Sequence, residues 1–204
     1  MLLEAYRRMK LERTAKRQQK IYANRIQRYR HHHEMTHWTT ARGQWTRFAV
    51  LKQDLELRKK IIADIGCGVG DFFRYLKSEH VIASMHGFDI TKSFVEYAQG
   101  EHPDCWFYDC NVAVDGLPRE YDYSFSSGLF AFGDRIFFEI MVKKIFAKTR
   151  YEYRFNMFQT QSKNFWSISP EQAKAYCESL GDCEVSIITG YLGRDYTVCM
   201  KRIA

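Results

Sequence analysis

Proline is nearly missing from this 204-residue chain: there are 3, beside 12 glycines. That is too few for a collagen-like, linker-rich or low-complexity polymer. No run approaches the ~18 uninterrupted apolar residues of a membrane span. No apolar segment follows the N-terminal charges, as a secretory leader would require. The 6 cysteines, at positions 67, 105, 110, 177, 183 and 199, form no CxxC pair and no zinc-ligand spacing. In a chain of this size with no leader they are expected to be reduced thiols. What remains is ordinary globular material, 46% hydrophobic and 27% charged. The expectation is a cytoplasmic chain with no membrane partner, built as one sizeable domain plus a short appendage.

The net charge of +7 is unevenly placed. Residues 1–30 hold ten Lys/Arg and two Glu, a balance of +8, so the other 174 residues carry −1. This cationic stretch has no Gly or Pro and is rich in Leu, Ala, Arg, Lys and Gln, which predicts one long helix or two abutting ones. Leu2, Tyr6 and Met9 form one apolar stripe, a candidate face for self-association. Ile21, Tyr22, Ile26 and Tyr29 form another, and residues 12–20 between them read as a solvated cationic middle. The division expected is a basic helical arm over 1–35 and a body over 36–204. Clustered Lys/Arg suit phosphate contact, so the arm is a candidate nucleic-acid dock; a solvated helical cap explains it equally simply.

His33-Glu34-Met35-Thr36-His37 satisfies the H-E-x-x-H pattern of zinc proteases. It lies in a polar stretch with no third ligand at family spacing, so no metal is expected. The simpler reading of residues 31–40 is a flexible junction or a lid over a pocket. Beyond it, Trp45, Phe48, Leu51 and Leu55 recur at helical spacing and predict a core-facing helix, with Arg47 on its other side.

From residue 61 the pattern alternates. The short apolar run at 61–65 reads as a buried parallel strand; 86–90, 106–108, 121–126 and 151–157 read as further strands, with helices over 71–76, 91–99, 134–147 and 170–180. Ser169 is the expected cap of the last helix. Runs at 184–189 and 196–201 flank a glycine-bounded turn and predict an antiparallel hairpin. The fold class is α/β: a doubly wound mixed sheet of about seven strands with a C-terminal hairpin and an N-terminal helical extension.

Ligands of such sheets bind beyond the C-terminal strand ends. Gly66, Gly68 and Gly70 follow the first strand and let backbone approach a ligand closely. Their G-x-G-x-G spacing differs from the dinucleotide fingerprint, and Asp64 just before them would repel a diphosphate while suiting an ammonium group. Asp89 ends the second strand and can accept both hydroxyls of a ribose. Asp109 ends the third and can accept from an adenine amine. An adenosine with a cationic tail and no phosphates satisfies all three carboxylates; S-adenosylmethionine is such a molecule. An NAD-dependent oxidoreductase fits worst.

The Asp64-Ile65-Gly66-Cys67-Gly68-Val69-Gly70 segment resembles motif I of class I S-adenosylmethionine-dependent methyltransferases, and residues 191–198 look like that family's last hairpin. Gln44-x-x-Arg47-Phe48, Ser126-Ser127-Gly128 and Phe155-Asn156 further resemble a small bacterial and phage subgroup of unknown substrate. The resemblance covers about residues 36–204. It implies that Gly66, Cys67 and Gly68 line the methionine and ribose, and that Asp89 holds the ribose with Ile90 on the adenine face. It further implies that Asp109 and the Cys110 backbone read the adenine edge, that Ser127 and Gly128 border the methyl group, and that Arg47 pairs with the methionine carboxylate. Cys67 reads as a small loop residue, not a nucleophile. No Asn/Asp-Pro-Pro-aromatic motif follows the fourth strand and no Pro-Cys is present, which disfavours exocyclic amine and cytosine C5 chemistry. The implied activity is methyl transfer to an unidentified acceptor, O- or N-directed. The alternatives are a nucleic-acid methyltransferase docking through the arm, or a non-catalytic binder of the cofactor or its demethylated product. No general base is named; His37, Tyr123 and Tyr191 are acceptor-side candidates whose ordinary reading is structural.

Overall fold

The computed structural model describes residues 2–160 and 163–203, with side chains from Glu4 onward. Seven strands form one sheet in the order β3-β2-β1-β4-β5-β7-β6. They are β1 (Ile61–Ile65), β2 (Ser84–Asp89), β3 (Trp106–Asp109), β4 (Tyr121–Ser127), β5 (Thr149–Phe158), β6 (Cys183–Thr189) and β7 (Asp195–Arg202). The first five are parallel, and β7 runs antiparallel to both β5 and β6. The chain leaves β1 toward β2 on one side and returns through β4 on the other. The crevice where the strand order reverses therefore opens above the C-terminal ends of β1 and β4.

Nine helices are described: α1 (Leu2–Tyr22), α2 (Arg25–Arg28), α3 (His32–Met35), α4 (Ala41–Lys52), α5 (Asp71–Ser78), α6 (Lys92–Glu101), α7 (Val112–Asp115), α8 (Arg135–Phe146) and α9 (Pro170–Glu178). Their starts follow local chemistry. Thr40 caps α4 through the Gly43 amide, Asp134 caps α8 through the Phe137 amide, and Ser169 forms a reciprocal capping box with Gln172. Both faces of the sheet are covered. Ile62 and Phe125 pack with Phe48, Leu51, Phe72, Phe73 and Ala98 under α4, α5 and α6. Ala63, Tyr153 and Phe155 pack with Phe138, Met141, Val142 and Ala173 under α8 and α9.

Two expectations change here. Trp45 does not face the core; it is exposed and packs edge-on to Tyr75, while α4 ends at Lys52, so Leu55 lies past the helix. The middle of the arm is not wholly solvated either. Gln18 is buried, and Gln19 Nε2 donates to the Ile90 carbonyl at 2.7 Å. Just before it, Leu11 sits in the same core cluster as Phe138 and Met141. Of the first apolar stripe, Tyr6 and Met9 are exposed, and the Leu2 side chain lies outside the described residues.

Because Leu11 is only 6% exposed, Leu11→Ala is expected to cost about 2–4 kcal/mol by the usual penalty for truncating a buried leucine. Urea denaturation of the full chain measures it; an unchanged midpoint would show that α1 is no part of the core.

Candidate functional site

The crevice is a cavity of about 520 Å³, within the range of small-molecule sites, roughly 300–1,000 Å³. Its floor is the loop after β1. Gly66, Gly68 and Gly70 all have positive φ, at 78°, 54° and 83°, a region that disfavours every residue with a Cβ. At Gly68 space is tight as well, since a Cβ would lie 2.8 Å from Thr36 Cγ2. The loop is pinned to β2. Asp89 Oδ2 accepts from the Gly68 amide at 3.0 Å, and Oδ1 accepts from the Thr91 amide at 2.8 Å.

Asp64 is the unusual group. It is 3% exposed, lines the cavity, and no hydrogen bond or ion pair reaches its carboxylate among the described residues. Burial, reinforced by Asp89 and Asp71, pushes its pKa up to about 8. The Asp89 carboxyl is also raised by burial, against the pull of the Thr91 and Gly68 amides. Burial, then Asp89 and Asp64, drive the Cys67 thiol well above its ordinary range, which leaves it unreactive at neutral pH.

Asp71, at the start of α5, ties the N-terminal segment to this loop. Its oxygens lie 2.8 Å from His32 Nδ1 and 2.9 Å from Gln44 Nε2. Arg25 donates to the Met35 carbonyl at 2.9 Å and also reaches the Glu34 carbonyl. Residues 36–40 thereby form one wall of the cavity. Within that wall His37 adopts φ 68° and stacks on Phe132. Trp38 lies against Gly128, where a Cβ would come within 2.8 Å of the indole. Among the described residues no group of three His, Cys, Asp or Glu side chains is placed to hold a metal ion, and no helix is long and apolar enough to cross a membrane.

The cavity brings together Arg47, Asp64, Gly66, Cys67, Gly68, Asp89, Ile90, Cys110, Ser127 and Gly128. Asp109 is not among them. Its side chain is exposed and outside the cavity, and the Cys110 amide already donates to the Asp89 carbonyl at 2.9 Å. Asn111, the next polar residue, lines the cavity and makes no capping bond to α7. Arg47 does not sit on a solvated helix face. Its guanidinium lies 2.5 Å from Asp195 and 4.5 Å from the Trp38 ring centre. Of the acceptor-side candidates only His37 reaches the cavity; Tyr191 hydrogen-bonds Thr197 at 2.9 Å and Tyr123 packs on Tyr151. Asn156 entered the sequence reading only within a resemblance and was given no role; its Oδ1 accepts from Ser127 Oγ and from the Gly128 amide. Sequence reading missed Gln18 and Tyr22 of α1, which line the cavity.

Several solved structures similar to this chain are methyltransferases. Magnesium protoporphyrin IX methyltransferase from Synechocystis, with bound S-adenosylhomocysteine, superposes at TM-score 0.66 and 13% identity over 84% of this chain and 85% of its own. The chain has the class I S-adenosylmethionine-dependent methyltransferase fold. A TehB-like methyltransferase from Corynebacterium glutamicum is similar at TM-score 0.62 and 17% identity, covering 76% of this chain and 87% of that one. A Bacteroides fragilis methyltransferase in complex with S-adenosylhomocysteine gives 0.62 and 13%, covering 78% and 77%. No protein-family model matches the chain, and no curated protein matches it in sequence. Set on the methyltransferase fold, the cavity occupies the strand-order reversal, and three carboxylates (Asp64, Asp71 and Asp89) surround its glycine loop.

Proposed function

We propose that the cavity binds S-adenosylmethionine and that the chain transfers its methyl group to an acceptor, with O- or N-directed chemistry. The observation that carries this reading is Asp64, a buried carboxylate facing the cavity with no cation beside it among the described residues. Such a group, protonated while no cation is near, ionises beside a cationic ligand and so favours one. The methyl group arrives on a sulfonium that is already activated, so the chain's part is binding, alignment and exclusion of water. Asp89 keeps free lone pairs for ribose hydroxyls while its other interactions hold Gly68 in place. Ile90 flanks the adenine, and Asn111 takes the edge-reading role expected of Asp109. Gly66, Cys67 and Gly68 leave room for the methionine part, Arg47 faces its carboxylate, and Ser127 and Gly128 border the methyl group. Asp89→Ala is expected to abolish S-adenosylhomocysteine binding in calorimetric titration while the circular dichroism spectrum is kept. Retained affinity would sink the ribose assignment.

A second reading rests on α1. Arg13, Lys16, Arg17 and Lys20 are exposed along the helix, and none has an acidic partner among the described residues. Such a row suits nucleic acid docked beside the cavity. Replacing these four with glutamine should then lower affinity for a single-stranded RNA and flatten its salt dependence, by about 0.7 log unit of slope for each phosphate no longer neutralised. Equal binding by both proteins at every salt concentration sinks this reading.

A further inference from the structure

The cavity has two unlike ends. The end above β1 and β2 carries Asp64, Asp71 and Asp89. The end above β4 and β5 carries no free carboxylate among its described lining residues; its one acid, Asp195, is paired with Arg47. Four rings cluster at that end. His37 and Phe132 are nearly parallel, 21° apart with centres at 5.4 Å; Phe165 lies 5.3 Å from Phe132 and 6.1 Å from His37; Phe158 lies 5.7 Å from Phe165. Tyr22 of α1 closes over them, 5.9 Å from Phe132. Stacked and edge-on rings around an apolar space suit a flat aromatic guest.

Within this apolar wall His37 is the one imidazole. Its ring nitrogens make no hydrogen bond to any other described residue, although the same segment is pinned by Arg25 and by Asp71 through His32. Its backbone is held at φ 68°, a conformation that costs energy in any residue with a Cβ. The surrounding contacts hold this position and aim an acid–base group at the aromatic end of the cavity.

We propose that the end walled by His37, Phe132, Phe158 and Phe165 is the acceptor site, that it takes a planar aromatic hydroxyl compound, and that His37 is the catalytic base. The inference rests on the methyl-transfer reading above. In the step, the acceptor oxygen forms a bond to the methyl carbon as the sulfonium S–C bond breaks. The pair of electrons from that bond stays on sulfur, giving a neutral thioether. The hydroxyl proton passes to a ring nitrogen of His37, and the imidazolium then releases it to water. Burial and the charge of Arg25, the ion that faces it from α2, lower the His37 pKa from its usual 6.5. The ring is therefore neutral, and able to accept a proton, at pH 7.

The test uses 2-naphthol with the full chain. Titrating 2-naphthol into chain saturated with S-adenosylhomocysteine should quench the naphthol fluorescence. Phe132→Ala and Phe165→Ala should each weaken that binding about tenfold, the scale of one aromatic pair. His37→Asn, which tolerates a left-handed backbone, should bind naphthol within about threefold of the unchanged chain. It should also lose about 10²–10⁴-fold in methyl transfer to naphthol, with the acid-side fall of kcat/KM removed. Three results overturn the inference: no quenching although calorimetry shows S-adenosylhomocysteine bound, binding without transfer by the unchanged chain, or undiminished transfer by His37→Asn. Failure of S-adenosylhomocysteine itself to bind overturns the methyl-transfer reading instead.

Discussion

Asp64→Asn is expected to make the protein more stable and to abolish its affinity for S-adenosylmethionine. The carboxyl has a pKa of about 8 in the fold against 3.8 for an ordinary aspartate. The folded chain therefore keeps its proton up to about pH 8, whereas the unfolded chain releases it near pH 4. Between those limits the folded state binds more protons, and its stability falls as pH rises. At pH 7 the cost is on the order of 4 kcal/mol, about 1.4 kcal/mol for each of roughly three pH units. Asparagine carries no such cost. If half of it is recovered, the melting temperature at pH 7 rises by about 4–8 °C, and the gain shrinks toward pH 4. The same proton has a second signature. Binding of a cation beside Asp64 forces it to ionise, so calorimetry at pH 7 in two buffers of different ionisation enthalpy should show nearly one proton released. The asparagine variant should release none. A variant that is less stable at pH 7 and still binds would refute both the titration and the role.

Arg47→Ala is expected to separate the two halves of the ligand. Arg47 is paired with Asp195, and both side chains are largely buried, at 17% and 9% exposed. Removing the guanidinium leaves Asp195 uncompensated, at a cost of roughly 3 kcal/mol in stability. If Arg47 also faces a ligand carboxylate, S-adenosylhomocysteine affinity should fall about 10- to 100-fold, the value of one charge-assisted hydrogen bond. 5′-Methylthioadenosine has no amino-acid part, and its affinity should stay within about threefold, well under one such bond. Parallel losses for both ligands would show that Arg47 only shapes the cavity wall, through Trp38 and Asp195.

Much of this architecture was legible before any coordinates. The strand at 61–65 reads as an apolar run because helices cover both sides of the sheet, and only Asp64 breaks it. Ser169 and Gln172 announce the start of α9 by spacing alone. The glycine loop and the acids at 64 and 89 could be placed because residues at parallel strand ends converge at a strand-order reversal. Asp109 misled for a local reason: the last side chain of a four-residue edge strand turned outward, and the chain reached the cavity at Cys110, with Asn111 its first polar side chain there. The inward face of α1 was hidden by composition. Leu11, Gln18 and Tyr22 stand on one stripe, at i, i+7 and i+11, but a glutamine at the central position looks solvated until something packs over it. The partner of Arg47 lay 148 positions away, at Asp195, and no pattern in the chain announces a pair so distant. His37 stood among three acceptor-side candidates with nothing local to single it out, because the rings that surround it come from residues 132 and 165.

The placement of Tyr22 has a thermodynamic corollary. This residue touches Phe94 above the adenosyl end and Phe132 above the aromatic end, so α1 spans both halves of the cavity. Any guest that gains contact with the docked helix raises the free energy of lifting it away, and the docked helix raises the guest's affinity by the same factor. On the proposed reading, donor and acceptor are coupled through a segment that neither needs to share directly. On that reading, occupancy of one half favours the docked helix over the other, and either guest dissociates most slowly when both are present.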